Sequence, residues 1–164
     1  MVVGAYAVAA HGLARASSDI DFVVHLPFEQ RDRVRAILER EGLANIHERT
    51  DPLWGRRLAA DLPSGITLEF FFTPPGPVHD REYDRRVTVL LRGEEMPVLS
   101  PEDLIIRKLV NIRLRRGLDY DDVVGIIARQ GDRLDLGYVR AHAGFYRVEA
   151  HLDRAIKDAA AAEP

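Results

Sequence analysis

The run from Gly4 to Asp21, Gly-Ala-Tyr-Ala-Val-Ala-Ala-His-Gly-Leu-Ala-Arg-Ala-Ser-Ser-Asp-Ile-Asp, followed at once by Phe22, Val23 and Val24, constrains this chain more than any other stretch. The β-branched pair Val2-Val3 leads into a small-residue turn, Gly4-Ala5, and then into the alanine-rich segment Ala7 to His11, which has good helix propensity. A strand end therefore meets a helix start. The first N–H groups of such a helix, with no side chain at Gly4 to keep a ligand away, form an anion site. At the far end, strand alternation sends Asp19 and Asp21 to one face and Ile20, Phe22 and Val24 to the other. The two carboxylates lean the same way, with Cα atoms roughly 6 to 7 Å apart. That spacing lets both share an ion taking oxygen ligands at about 2.0 to 2.1 Å, the distance expected for magnesium.

Composition narrows the chemistry further. There are no cysteines, so disulfides and thiolate metal sites are excluded and any metal is held by oxygen or imidazole. The chain has 164 residues, 46% of them hydrophobic and 30% charged, which suits one globular domain, or one plus a small helical annex. No apolar run approaches the length of a membrane span. The start, Met1-Val2-Val3, lacks a basic region and a long apolar region, so the expectation is a cytoplasmic protein that meets no membrane. A net charge of −3 argues against a general nucleic-acid binder, although a local basic patch still suits a triphosphate or a tRNA end. Of the 23 basic residues all but Lys108 and Lys157 are arginine, so a lysine stands out as a compact point charge for phosphate or as ordinary helix surface.

Taken in order, His11-Gly12 closes the first helix, with His11 either a packing residue or a nucleotide contact. Ser17-Ser18 either forms the turn into the strand or donates hydroxyls to phosphate. Glu29 to Glu41 has helical spacing at Val34, Ile37 and Leu38 and ends at Gly42. Asn45 to Glu48 and Arg56 to Ala60 read as short strands about Asp51-Pro52, where Trp54 either packs a core edge or stacks on a base. The strongest strand is Ile66 to Phe72, interrupted by Glu69, an acid that needs a partner if buried. Pro77 to Asp84 reads as a polar connection, and Arg86 to Leu91 with Met96 to Leu99 as a hairpin joined near Gly93. Ser100-Pro101-Glu102-Asp103 is an N-cap, a first-turn proline and first-turn acids, opening a helix that carries Lys108 and turns Leu104, Ile105, Leu109 and Ile112 inward. Further helices are expected over Asp119 to Ala128, Leu134 to Ala143 and Tyr146 to Ala159, the last two meeting at Gly144.

The pattern Gly-small-x-Ala, then His-Gly, Arg15 and Asp-x-Asp followed by apolar residues, resembles the nucleotidyltransferase superfamily that includes DNA polymerase β, in the branch of AbiEii-like toxins and other small bacterial nucleotidyltransferases. A second block resembles the signature that follows the catalytic sheet in that branch. It comprises Ser100-Pro101-Glu102-Asp103-Leu104, Lys108-Leu109, Arg115-Arg116, and Asp119 with Asp122. Two blocks in the right order are more specific than Asp-x-Asp alone. The resemblance implies an α/β (α+β) fold, a nucleotidyltransferase-like mixed sheet with flanking helices over residues 1–99, and a helical C-terminal region, 100–164, packed on it.

The resemblance also implies a metal-dependent enzyme that moves a nucleoside monophosphate from a nucleoside triphosphate to an acceptor hydroxyl. Asp19 and Asp21 hold two magnesium ions, and Glu69 is the third metal carboxylate and the base. The competing reading of Glu69 is a carboxylate on a wet sheet face paired with arginine. Gly4 and Ala5 offer backbone N–H groups to the phosphates, Ser17, Ser18 and Lys108 add contacts, and Arg15 contacts phosphate or braces the loop. The family pattern has a helix ahead of the first strand; only Met1, Val2 and Val3 precede Gly4, so that helix is expected to be missing and the strand short. The acceptor is a small molecule, a protein or a tRNA end. The main alternative is a non-catalytic module of this fold in a toxin–antitoxin or regulatory system, with a cognate antitoxin as partner. A glycosyltransferase using Asp-x-Asp fits the chain's length poorly.

Overall fold

Alternating side chains and turn residues build one sheet, and one unit of the molecule carries all of it. The structure is a computed structural model that describes residues 1–13, 16–51, 55–91, 93–114 and 118–161. Two compact units emerge: residues 1–6 with 16–99, and residues 7–15 with 100–164. Residues 7–15 count with the helical unit rather than with the sheet.

In the first unit β1 (Val2–Val3) runs into α1 (Gly4–Ala10), whose first residues, to Tyr6, belong to this unit. There follow β2 (Asp19–Val24), a 3-10 turn (Phe28–Gln30), α2 (Arg31–Arg40), β3 (Ile46–Asp51), β4 (Gly55–Asp61), β5 (Thr67–Phe72), α3 (Pro77–Asp84), β6 (Val87–Leu91) and β7 (Glu94–Val98). The sheet is mixed and seven-stranded, in the order β3-β4-β5-β2-β1-β7-β6. β2 lies parallel to β5 and antiparallel to β1, and β1 lies parallel to β7. The other neighbours are antiparallel hairpins.

Alternation makes one face of the strand set β4-β5-β2 apolar. Leu58 and Phe70 are buried there with Val34 of α2, and Phe22, Val24, Leu68 and Phe72 pack around them. Phe22 stacks on Phe70 with ring centroids 5.2 Å apart. The opposite face, in register, carries the charges. Pro77 to Asp84 differs from expectation, because the polar segment folds as α3. Proline opens it, Gly76 N–H donates to Asp80 Oδ1 at 3.1 Å, and Glu82 is buried, so hydrogen bonds and capping rather than an apolar stripe make this helix.

The second unit comprises the rest of α1 with α4 (Pro101–Leu114), α5 (Asp119–Gln130), a 3-10 turn (Gly131–Arg133), α6 (Leu136–Tyr146) and α7 (Glu149–Ala161). Ser100 caps α4 as its sequence predicts: its hydroxyl accepts from Asp103 N–H at 3.1 Å and donates to Asp103 Oδ2 at 2.6 Å. α4 packs on α5 and α6, and α7 packs on α5 and α6, burying Leu104, Ile105, Leu109, Val123, Ile126, Val139 and Leu152. Gly125 lets α5 approach Leu13 closely, since a Cβ there would stand 2.2 Å from Leu13 Cδ2. The break between the last two helices falls at Arg147, in the left-handed region at φ 57°, rather than at Gly144. Among the described residues no helix is long and apolar enough to cross a membrane.

Candidate active site

Asp19 and Asp21 both stand on the charged face of β2, opposite the Phe22–Phe70 core, as strand alternation requires. The parallel register sets Asp19 beside Thr67 and Asp21 beside Glu69, and on the other side Val3 pairs with Asp21. β5 therefore brings its one acid to the row occupied by Asp21, with strands about 4.8 Å apart.

Gly4 fits this row because it is glycine. Its φ is +63°, and a Cβ built on it would lie 2.0 Å from Asp21 Oδ2. The Asp21 carboxylate thus rests against the bare backbone where β1 turns into α1, beside the first N–H groups of that helix. The pair of features read from the sequence, an uncovered turn and an acid at the mouth of β2, meet in space. Ala5 is buried immediately behind Gly4.

Ser17 follows its turn-forming reading: its hydroxyl donates to Asp19 O at 3.0 Å and faces Asp19 N–H at 3.3 Å. Ser18 is exposed, and its carbonyl accepts from Thr67 N–H at 3.0 Å, which fixes where β2 joins β5. Arg15, and with it Trp54, Arg115 and Arg116, lies outside the described residues.

Glu69 is in register with Asp21, and its carboxylate is held by two guanidinium groups. Arg49 Nη1 donates to Oε1 at 3.1 Å, and Arg57 Nε lies 3.0 Å from Oε2. Arg49 also reaches Asp61 at 3.4 Å, and Asp61 accepts from the Thr67 hydroxyl at 2.8 Å. His47 accepts from Arg49 Nε at 3.1 Å while its Nδ1 faces Asn45 O at 2.9 Å, which places the ring proton on Nδ1. Among the described residues no group of three His, Asp or Glu side chains forms a metal cage. The physical reason is that Glu69 satisfies its charge on β3 and β4 rather than on β2. The hard-oxygen pair Asp19 and Asp21 still fits an ion of the magnesium kind, which takes one or two carboxylates and completes its shell with water and phosphate oxygens.

Lys108 sits in the helical unit, with its ammonium 2.8 Å from Asp119 Oδ1 and 2.6 Å from Asp122 Oδ2, buried between α4 and α5. Its charge is matched there. His11 is buried in the same unit, and its carbonyl accepts from the Gln130 side chain at 2.9 Å. The residues that the sequence reading missed are Arg49 and Arg57. Their signal was their phase: each falls on the same face of its strand as Glu69 once the register is known.

Comparison with known proteins now adds the family. Residues 2–159 match the model of the AbiEii family, described as nucleotidyl transferase AbiEii toxin, type IV TA system. The chain belongs to this family. Among curated proteins no significant sequence match is found. Two solved structures resemble this AbiEii-family chain in fold. An antigenic nucleotidyltransferase-like protein from Paracoccidioides brasiliensis shares 17% identity over 96% of this chain and 83% of its own, at a TM-score of 0.54. The antibiotic-resistance factor ANT(2'')-Ia shares 16% identity over 93% of this chain and 84% of its own, at a TM-score of 0.59. The mixed sheet with its flanking helices is therefore the nucleotidyltransferase fold, as the two sequence blocks imply.

Proposed function

We propose that this AbiEii-family chain is a magnesium-dependent nucleotidyltransferase that moves a nucleoside monophosphate from a nucleoside triphosphate to an acceptor hydroxyl. The observation that carries the reading is the meeting of Asp21 with Gly4: an acid from one strand and the bare start of a helix face the same small space, with Asp19 on the same strand face. Asp19 and Asp21 would hold the ion, and a bound divalent cation supplies charge neutralisation on the triphosphate.

The chain's own residues do the rest. Gly4 and Ala5 present backbone N–H groups toward phosphate oxygens, and Ser17 and Ser18 hold Asp19 in place through the turn. Glu69, on the row of Asp21, takes the proton of the acceptor hydroxyl once Arg49 and Arg57 release it, and would be the further carboxylate for a second ion. The acceptor oxygen attacks the α-phosphorus, the bond to the bridging oxygen breaks, and pyrophosphate leaves. Lys108 serves this scheme as a positioning residue, locking α4 to α5, rather than as a phosphate contact.

The family description also supports a role as the toxin of a toxin–antitoxin system; the acceptor in this reading is a small molecule, a protein or a tRNA end, and the partner a cognate antitoxin. The non-catalytic alternative is favoured by one observation, the engagement of Glu69 by Arg49 and Arg57. Incubation with α-labelled triphosphates and fractionated cell extract separates the two. Label transferred to one fraction with release of pyrophosphate, absent in Asp19→Asn, supports the enzyme. No transfer with any triphosphate or fraction supports the binding module.

A further inference from the structure

The guanidinium pair around Glu69 has no place in the scheme above except as an obstacle. Arg49 comes from β3 and Arg57 from β4, and both converge on one carboxylate. Arg49 is also engaged elsewhere, donating through Nε to His47 at 3.1 Å and pairing with Asp61 at 3.4 Å, so Glu69 is the carboxylate that the two guanidiniums share.

Arg57 is under-used. Its Nε lies near Glu69 Oε2 without the N–H pointing along the contact, and neither Nε nor Nη1, both shielded from water, makes a hydrogen bond. Its guanidinium is held over the Phe71 ring at 5.3 Å, on the charged face. A structural arginine–carboxylate pair in a shielded place normally forms the two-pronged fork, because unsatisfied buried donors are costly. Here donors are kept in reserve. Arg49, at 38% side-chain exposure, opens the pair to solvent, whereas Arg57 and Glu69 are at 13% and 11%.

We propose that Arg49 and Arg57 form a binding site for a phosphate group, and that the Glu69 carboxylate fills it when no ligand is bound. A doubly charged oxyanion matches two guanidinium groups better than one carboxylate does, and it would take the donors that Arg57 leaves unused. The exchange frees Glu69 one strand away from Asp21, on the same row. Occupation of the arginine site therefore releases the third acid toward the Asp19–Asp21 pair, and a cation held there favours that release in turn. The phosphate belongs either to the acceptor or to the triphosphate. The metal half of this coupling rests on the proposed function; the anion half does not.

The test uses inorganic phosphate, without metal, titrated calorimetrically into the full chain at fixed ionic strength. Glu69→Gln removes the internal competitor and is expected to bind phosphate about tenfold more tightly than wild type. Arg57→Gln is expected to bind it about tenfold more weakly. Arg56→Gln, whose side chain pairs with Glu48 on the other face, is the matched charge control and leaves phosphate affinity unchanged. Glu69→Gln binding no more tightly than wild type overturns the proposal, as does Arg56→Gln weakening phosphate as much as Arg57→Gln.

Should Glu69→Gln fail to fold, the manganese affinity of Arg57→Gln decides instead. Freed Glu69 raises it at least about threefold, and a purely structural arginine leaves it unchanged or lowered. Repeating the phosphate titration in saturating magnesium ATP assigns the source: competition means the site takes the nucleotide's own phosphates, and independent binding means it takes an acceptor phosphate. If no magnesium ribonucleoside triphosphate binds at all, the nucleotidyltransferase reading fails while the phosphate titration still scores the arginine site.

Discussion

Two buried charge clusters in this molecule are mirror images in sign and opposite in what they allow. In the helical unit one ammonium, Lys108, lies between two carboxylates, Asp119 and Asp122, at 2.8 and 2.6 Å, with 5% of the lysine side chain and 3% of Asp122 exposed. In the sheet unit one carboxylate, Glu69, lies between two guanidiniums. The first cluster is short, formed by consecutive helices and shielded at Lys108 and Asp122, with Asp119 at 28% exposure, so it acts as a rivet. The second draws on three strands, leaves donors unused on Arg57 and opens to water through Arg49. Charge in the core of one unit fixes structure; charge on the sheet face of the other is held ready for exchange.

Breaking the rivet is expected to have the largest effect. Lys108→Met leaves two carboxylates facing each other in a shielded place and should cost about 3 to 5 kcal/mol of stability by urea denaturation, the usual penalty for stranding a buried charge. A loss below about 1 kcal/mol would place that cluster with ordinary surface pairs.

Next comes Gly4→Ala, which tests whether the sheet site depends on close approach. The left-handed backbone alone costs roughly 1 to 3 kcal/mol in a residue with a side chain. The added carbon also displaces the Asp21 carboxylate. Triphosphate binding should then fall more steeply than stability, and equal binding in a folded Gly4→Ala protein would separate Asp21 from the nucleotide.

Glu69→Gln should cost less than Lys108→Met, on the order of 1 kcal/mol, because Arg49 reaches water and the amide keeps one acceptor. A destabilisation equal to that of Lys108→Met would make the two clusters alike and end the contrast drawn between them.

The smallest effect is a pH effect on the helical unit. Burial, then the hydrogen bond to Asp158, pushes the Tyr120 hydroxyl up to about 12. A group whose ionisation is raised in the folded state stabilises fully below its unfolded value, 10.0, and loses that contribution as pH rises toward 12. Thermal melts of Tyr120→Phe should accordingly lose less stability than wild type between pH 10 and 12.

Much of this was legible in the sequence because its determinants are local. Period-two alternation put Asp19 and Asp21 on one face and Phe22 on the other, Ser100-Pro101 announced α4, and Gly93 marked the last hairpin at φ +89°. α3 was hidden because its stability comes from capping and from buried Glu82 rather than from an apolar stripe. The arginine pair was hidden for a different reason. Which charges share a row depends on strand register across β3, β4 and β5, and register is set by pairings between residues as far apart as Arg49 and Glu69. The sequence left two partners open for Glu69, a metal or an arginine, and the fold in this state supplies the second. Lys108 was likewise ambiguous until α5 brought Asp119 and Asp122 to it.

The central claim is that Asp19 and Asp21 hold a hard cation through which a nucleoside triphosphate binds beside Gly4. Calorimetric titration of each ribonucleoside triphosphate, with and without magnesium, into wild type and the Asp19→Asn, Asp21→Asn double variant tests it most directly. The account predicts binding that requires magnesium and disappears in the double variant. Binding of equal strength without magnesium, or undiminished in the folded double variant, would contradict it.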